Sequence, residues 1–170
     1  MSYLRPATPD DAEAIERVRT AGWRTAYRGM VSDAFLDSMN SDVERRRRRV
    51  LELGRAQGAV ELVAVDGDQL VGWTSGGPTR DTDTPPPAEI YALYVHPDAW
   101  RQGLGRRLLE QAVEQLRQHG NQEVTLWVLG DNHPARRFYE AMGFEADGAT
   151  NILDLGGAVQ EVRYRRALEA

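Results

Sequence analysis

A glycine-rich turn between an apolar run and an amphipathic segment carries the clearest chemical signal in the sequence. The turn is Arg101-Gln102-Gly103-Leu104-Gly105-Arg106. Glycines allow the backbone to approach a ligand closely and to turn its amides toward it. The start of a following helix adds a partial positive charge, and the flanking arginines add whole ones. Together these features suit the binding of a pyrophosphate.

A purely steric role for these glycines stays open on the turn alone, since glycines also precede helices without binding a ligand. The turn is not a Walker loop, because no Lys-Ser/Thr follows it. It is also not a complete dinucleotide fingerprint, because Gly103 and Gly105 have no third partner.

The segments on either side of the turn must position it. Glu89–Val95 is a nearly continuous apolar run, typical of a central strand that is buried on both faces. The helix after the turn has apolar residues at helical spacing and ends near Gly120, and Glu123–Leu129 is a second buried strand. This order predicts one parallel crossover unit over residues 89–129.

The rest of the chain alternates short strands and short helices, so the fold class that we predict is α/β, a sandwich around a mixed sheet. The predicted strands are Tyr3–Pro6, Val60–Val65 and Gln69–Ser75 (a hairpin through Asp66-Gly67), a strand from Phe144 that ends at Asn151–Leu155, and Val159–Leu168. A first helix is predicted to start at Thr8-Pro9-Asp10-Asp11. Three further helices are predicted over Ser32–Met39, Asp42–Ala56 and Pro134–Met142. We expect the final strand to be exposed, so that a homodimer could form by edge pairing.

Composition excludes several classes of function. The chain has no cysteine, which rules out a disulfide, a thiolate metal site and an acyl-cysteine. Its histidines lack metal-ligand spacing, so we expect no metal. The net charge of −5 argues against nucleic-acid binding, and we interpret the run Arg45–Arg49 as a solvated helix face. No apolar stretch approaches the roughly 20 residues that span a bilayer, and the N-terminus lacks a signal peptide; we expect no membrane association and a cytoplasmic location.

Two long stretches resemble the signature motifs of the GNAT family of N-acetyltransferases. Residues 91–109 (YALYVHPDAWRQGLGRRLL) are similar to the motif that binds acetyl-CoA. Residues 128–144 (VLGDNHPARRFYEAMGF) are similar to the second signature, an asparagine followed by Phe-Tyr-Glu and Gly-Phe. The order and separation also match, so the resemblance covers the whole chain as one N-acetyltransferase domain, residues 1–170.

The resemblance implies a mixed, mostly antiparallel sheet of six to seven strands. It has a central splayed parallel pair and helices on both faces. It also implies acetyl-CoA as cosubstrate and direct attack of an amine on the thioester in a ternary complex, in keeping with the missing cysteine. At pH 7 a lysine-like amine lies about 3.4 pH units below its pKa, so its deprotonation costs roughly 4.6 kcal/mol.

Two catalytic residues follow from the resemblance. Tyr139 matches the tyrosine that protonates the departing CoA thiolate, although a core aromatic would also fit this helix. Glu89 lies where histone-modifying members have a glutamate base, although a solvent-facing charge at a strand end is the alternative. Tyr91 is expected to share the strand face of Glu89 and either to assist or to pack.

The resemblance also assigns the cofactor contacts. The backbone of Leu93, Tyr94 and Val95 is expected to pair with the pantetheine arm like an added strand. Asn132 resembles the family asparagine that contacts the cofactor, although it could equally cap a helix. The pyrophosphate site is assigned to Arg101, Gln102, Gly103, Leu104, Gly105 and Arg106. Trp100 is a departure, since the family usually has arginine or glutamine there.

The acceptor site is assigned to aromatic residues of the early helices. Trp23, Tyr27 and Phe35 lie where the family varies its substrate lid, and Tyr91, Trp73 and the loop Arg80–Pro87 are further candidates. Aromatic rings there could hold a cation or belong to the core.

The leading hypothesis is therefore an enzyme that acetylates a primary amine of a small molecule or a peptide. The alternative is a non-catalytic acyl-CoA-binding or sensing module of the same fold. A third hypothesis, an arginine-rich nucleic-acid binder, is disfavoured by the acidic net charge.

Overall fold

The computed structural model describes residues 1–169, and its strands form one seven-stranded sheet in the order β1-β2-β3-β4-β5-β7-β6. All neighbouring strands are antiparallel except β4 and β5, which are parallel. The strands are β1 (Ser2–Pro6), β2 (Val60–Asp66), β3 (Gln69–Pro78), β4 (Ala88–Val95), β5 (Glu123–Leu129), β6 (Glu145–Asp154) and β7 (Ala158–Ala167).

Helices cover both faces of this sheet. They are α1 (Ala12–Ala26), α2 (Asp33–Ser38), α3 (Val43–Arg55), α4 (Leu104–Gln118) and α5 (His133–Ala141). The predicted fold, a mixed sheet with one parallel pair between helical layers, is confirmed.

Each helical layer is held by its own apolar cluster. The buried face of α4 packs on one side of the sheet and consists of Leu104, Leu108, Leu109, Ala112, Val113 and Leu116. On the other side, Ile15 and Val18 of α1 and Val50 of α3 pack against β2 and β3. Full burial of such side chains contributes about 1.5–3 kcal/mol each, so these two clusters fix the sheet between its helices.

The parallel pair separates partway along its length. β4 pairs with β5 only over Ala88–Ile90, opposite Val124–Leu126. On its other side, β4 has one extra residue: Ile90 is opposite Gly76 and Ala92 is opposite Ser75, which leaves Tyr91 unpaired in a bulge. The two strands diverge from this point, so the predicted splay lies directly after the bulge.

The final strand is not at the edge of the sheet, so the dimerisation route predicted for it is wrong. β7 pairs with β5 on one side and with β6 on the other. The edges are β1 and β6 instead. The sequence pattern does not reveal this order, because the hairpin β6–β7 inserts its second strand next to β5.

Arg46 and Trp73 pack against each other under the α1 and α3 layer. Arg46, from the arginine run, stacks at 4.5 Å over the ring of Trp73 and lies 3.7 Å from Glu16, so the run is not a uniformly solvated face. Trp73 is only 2% exposed and donates to Glu61 at 2.7 Å. It is a core residue, not part of an acceptor pocket.

Candidate active site

The splay between β4 and β5 opens into a cavity of about 310 Å³. Ile90 and Leu126 lie at its base, where the two strands still pair. Its walls come from the diverging strands, from α1 and α5, from the loop after β3 and from the β6–β7 hairpin. The polar and aromatic side chains that line it include Trp23, Tyr27, Arg80, Tyr91, Tyr94, Tyr139 and Glu161. The sheet thus brings together residues from six separate elements.

The glycine turn has a backbone that leaves its amides free. Arg101 and Gly103 adopt left-handed conformations, with φ of +62° and +78°. Gly103 is the cap residue of α4 and has no side chain to occupy the first N–H groups of the helix. Within residues 1–169, no protein acceptor takes a hydrogen bond from the N–H groups of residues 101–106. Such an end binds anions, so the turn fits a pyrophosphate.

The side chains of the turn contribute unequally. Leu104 is buried in the core against the sheet, so only its backbone is available to a ligand. Arg101, Gln102 and Arg106 are exposed, and Arg106 donates to Glu110 at 2.9 Å. The turn therefore offers backbone amides and exposed positive charges at the surface.

Trp100, the departure from the family pattern, ties the turn to the end of β4. Its indole Nε1 donates to the carbonyl oxygen of Val95 at 2.7 Å, while 40% of the residue stays exposed. The tryptophan thereby connects the two segments expected to hold the cofactor.

The backbone of Leu93, Tyr94 and Val95 borders the cleft on the side that β5 has left. These residues pair with Thr74, Trp73 and Gly72 of β3 and have no partner in β5. A free strand edge of this kind can pair with an extended ligand. One of its carbonyls, that of Val95, is already used by Trp100.

Asn132 is buried at the start of α5, where its Oδ1 accepts from the N–H of Ala135 at 3.3 Å. The capping role is thus present. Because this cap starts the helix that holds Tyr139, Asn132 helps to position Tyr139 in the site.

Tyr139 lines the cavity from α5. Its ring lies edge-on to Phe138 at 5.3 Å and to the buried Phe144 at 6.0 Å. Its hydroxyl forms no hydrogen bond to any other group in residues 1–169, and burial, with the Tyr94 phenol nearby, raises the pKa of Tyr139 above its ordinary value. The phenol is therefore neutral, protonated and free to donate.

Glu89 is not the solvent-facing charge considered as its alternative. It is 1% exposed, and its carboxylate accepts from the N–H, Nε and Nη2 of Arg80. The guanidinium of Arg80 also lies 4.8 Å from the ring centre of Tyr91, whose hydroxyl donates to the Pro78 carbonyl. Glu89 and Tyr91 thus lie on the same side of β4, as predicted. Both already interact with Arg80, and Tyr91 is also bonded to Pro78 in the segment before it.

Trp23 and Tyr27 close the cavity from α1. Their rings meet edge-on at 4.8 Å, and the Trp23 indole donates to the Tyr94 hydroxyl at 2.8 Å. Burial, with Tyr94 nearby, raises the pKa of Tyr27 well above its ordinary value. Phe35 packs with the cluster of Val31, Leu36 and Leu129 beside this wall but does not line the cavity.

The β6–β7 hairpin is the part of the site that sequence reasoning missed. It contributes Leu153, Leu155 and Glu161 to the cavity, and β5 contributes Trp127. In β7 the charged residues Glu161, Arg163 and Arg165 occupy every second position, a pattern that is typical of any strand with one exposed face. Only the order β5-β7-β6 tells which of them reaches the cavity.

Comparisons with known proteins agree with this geometry. The family model described as "Acetyltransferase (GNAT) family" matches residues 23–144. The uncharacterized N-acetyltransferase YuaI of Bacillus subtilis is 30% identical over 163 residues, which cover 95% of this chain and 91% of that protein.

Solved structures share the fold over nearly the whole chain. The PaiA N-acetyltransferase of Thermoplasma acidophilum, in complex with coenzyme A, superposes with a TM-score of 0.82 at 19% identity and 99% coverage of both chains. A ribosomal-protein-alanine N-acetyltransferase of Brucella melitensis has a TM-score of 0.77 at 24% identity, covering 98% of this chain and 99% of its own.

The chain belongs to the acetyltransferase (GNAT) family. It is an N-acetyltransferase by this membership, in agreement with the names of its relatives. No helix within residues 1–169 combines the length and the apolarity needed to cross a bilayer.

Proposed function

We propose that the protein transfers the acetyl group of acetyl-CoA directly to a primary amine of a small molecule or peptide. The observation that carries the proposal is the splay cavity, which joins a free strand edge to Tyr139, while the free amides of the glycine turn follow that strand in the chain. Coenzyme A bound to the PaiA relative of the same fold supports the choice of cosubstrate.

Each group of residues in the site has a separate role in this reaction. The amides of residues 101–106 hold the pyrophosphate, and the edge of Leu93–Val95 aligns the pantetheine arm and polarises the thioester carbonyl. Tyr139 gives its proton to the CoA sulfur as the carbon–sulfur bond breaks. Trp23, Tyr27 and Tyr91 surround the acceptor. No step uses an acyl-cysteine, since the chain has no cysteine.

The test is CoA release followed with a thiol-reactive dye, which meets no protein thiol here. Acetyl-CoA would be offered with polyamines, amino acids, aminoglycosides, simple arylalkylamines and peptides with free N-termini. Acceptor-dependent release is the expected result. Tight binding of acetyl-CoA without release from any amine would favour the non-catalytic module, and absence of binding would contradict the proposal.

A further inference from the structure

Glu161 lines the cavity and accepts fewer hydrogen bonds than Glu89, which is buried beside it. Glu161 of β7 pairs with Leu129 of β5 and with Asn151 of β6, and its side chain lines the same cavity as Tyr139 and Tyr27. The residue is partly buried.

The two carboxylates differ in the hydrogen bonds that they already accept. Glu161 accepts one, from the Asn151 side-chain nitrogen to Oε1 at 3.1 Å. Its Oε2 has no protein donor among residues 1–169. Glu89 accepts three, all from Arg80. An incoming ammonium therefore finds free lone pairs on Glu161, whereas on Glu89 it must displace a guanidinium.

The surroundings of Glu161 favour proton uptake. Burial raises the pKa of this carboxyl; the Asn151 hydrogen bond and Arg80 oppose the shift, and the nearby Glu89 and Asp81 add to it. The tyrosines that line the same cavity, Tyr27, Tyr91, Tyr94 and Tyr139, stay neutral, because burial raises the pKa of each. A base whose pKa is moved toward neutrality accepts a proton more effectively at working pH.

The other side chains that line the cavity indicate the chemical character of the group that carries the amine. They are mostly aromatic or aliphatic, and about 310 Å³ is at the small end for ligand pockets. Within the described residues, Arg80 is the one basic side chain that lines the cavity, and Glu89 neutralises it. A carboxylate beside the acceptor amine would thus face Glu161 without a compensating cation.

We propose that Glu161 binds and deprotonates the acceptor amine, and that the acceptor is a small primary amine with an apolar or aromatic body and no adjacent carboxylate. Glu89 is then a positioning residue that holds Arg80 and Tyr91. This inference rests on the proposed function and specifies its acceptor half.

The proton balance is complete with these groups. Glu161 takes one proton from the ammonium, and the nitrogen lone pair forms the new bond to the acetyl carbon. The carbon–sulfur bond breaks and Tyr139 protonates the sulfur. A second proton leaves the nitrogen and restores Tyr139 through solvent, while Glu161 releases its own proton to water.

The acceptor class is tested with three probes that share one body: 2-phenylethylamine, L-phenylalaninamide and L-phenylalanine. The first two carry no carboxylate, and the amide matches phenylalanine in size. We expect acetylation of the first two and a kcat/KM for phenylalanine that is lower by about 100-fold or more, because like charges meet in a poorly solvated site. Equal rates for phenylalanine and its amide would overturn the acceptor class.

The role of Glu161 is tested by Glu161→Gln, with Glu145→Gln as a matched change at an exposed position of β6. In Glu161→Gln we expect kcat/KM for 2-phenylethylamine to fall by about 10²–10⁴-fold. The acid limb of its pH profile should move to that of the free amine, and the discrimination against phenylalanine should shrink below about tenfold. Acetyl-CoA affinity and the melting temperature should match those of the control, which excludes a folding defect.

The outcomes separate this inference from the proposed function. If Glu89→Gln removes the acid limb while Glu161→Gln keeps it, Glu89 is the base and the inference is wrong. If the protein binds acetyl-CoA and acetylates other amines but none of the three probes, the acceptor class is wrong while the proposed function stands. If acetyl-CoA does not bind, both are wrong.

Discussion

The side chains in and around the cavity differ in how many of their hydrogen-bonding groups already have a partner within the protein. Glu89 is saturated by Arg80, Asn132 caps α5, and Trp100 is bonded to the Val95 carbonyl. The Tyr139 hydroxyl and Oε2 of Glu161 have no protein partner within residues 1–169. Chemistry needs groups that are held in place by packing and left free at the reacting atom, which distinguishes the last two from the others.

Replacement of Tyr139 by phenylalanine should lower kcat by about 10²-fold or more and leave acetyl-CoA affinity unchanged. The ring packing against Phe138 and Phe144 is kept, and no protein hydrogen bond is lost. Because burial raises the pKa of Tyr139, the wild-type rate should show no alkaline loss from this phenol below about pH 10. Steady-state kinetics with isothermal titration of acetyl-CoA checks both points; Tyr3→Phe, on the exposed strand β1, is the control.

The two glycines of the turn should respond differently to alanine. At φ +78°, alanine at Gly103 costs about 1–2 kcal/mol if the turn is kept, which corresponds to a roughly 5- to 30-fold weaker acetyl-CoA complex. At Gly105 an added Cβ would meet Phe138 and Val95 at an ordinary 3.8 Å, and alanine is the better helix former. We therefore expect Gly105→Ala to bind acetyl-CoA like wild type. Equal loss in both variants would mean that the ligand, not the backbone, requires the glycines.

At this scale the sequence predicts site residues that lie in a local motif and does not predict those that only the fold brings to the cavity. Gly103, Gly105 and Tyr139 lie inside continuous motifs. Glu161 belongs to a strand whose neighbours are set by pairing with β5, about 30 residues earlier in the chain. The saturation of Glu89 by Arg80 was equally hidden, because it depends on how the loop after β3 folds back.

The β6–β7 hairpin, which forms one wall of the cavity, packs against α2 and approaches it very closely at one glycine. Gly156, at the hairpin tip with φ +74°, lies so close to α2 that a Cβ there would stand 2.6 Å from Ser32 Oγ and 2.9 Å from Phe35 Cβ. The wall that carries Glu161, Leu153 and Leu155 is thus positioned partly by the absence of a side chain.

Alanine at Gly156 should push α2 and the hairpin apart and raise KM for the amine more than KM for acetyl-CoA. Overpacking of this kind costs about 1–3 kcal/mol. Gly148→Ala is the matched control, since it lies in the same hairpin at φ +90° with nothing within 4 Å of the added carbon. Urea unfolding and kinetics of both variants separate the clash from the backbone strain that they share; identical behaviour would show that the contact with α2 has no role.

The elements themselves were largely predictable, whereas their order in the sheet was not. The apolar runs, the Asp66-Gly67 hairpin and the glycine-bounded helices are local patterns, and each is found close to its predicted bounds. The position of β7 inside the sheet results from long-range pairing, which local periodicity does not encode.

At the scale of the whole molecule, an ionic network joins the loop after β3 to the far half of the sheet. Arg163 donates to Asp81, Asp83 and Asp147, and Arg165 donates to Asp83. The network spans residues that are up to 82 positions apart in sequence. It fixes the loop that begins with Arg80, and so it reaches the cavity through the Arg80–Glu89 pair.

Replacing Arg163 by methionine should lower the free energy of unfolding at pH 7 by about 1–3 kcal/mol, between the values for exposed and buried ion pairs. The hydrogen bond from Arg163 lowers the pKa of Asp83; that of Asp147 is lowered, against its own burial, by the Ala149 N–H and Arg163. A carboxyl with a lowered folded-state pKa stabilises the protein above its unfolded pKa of about 3.9, and the contribution is lost as pH falls below that.

The difference between wild type and Arg163→Met should therefore be constant from pH 7 to about 5 and shrink toward pH 3, as measured by urea unfolding. Arg28→Met is the control, because Arg28 pairs with the exposed Asp33 and Asp37 and should change stability little at any pH. A difference between wild type and Arg163→Met that stays constant down to pH 3 would contradict the assignment to these carboxylates.

The bulge at Tyr91 also has a genetic consequence. Because Tyr91 is the extra residue, Ile90 and Leu93 face the α4 layer while Ala92 and Tyr94 face the α1 layer, as they would in an uninterrupted strand. Loss of one codon, the one for Tyr91, would leave both cores correctly filled and remove the irregularity from which the strands diverge. We therefore expect an in-frame deletion of this one codon to yield a well-packed sheet whose cleft has closed, and so to abolish activity without preventing folding.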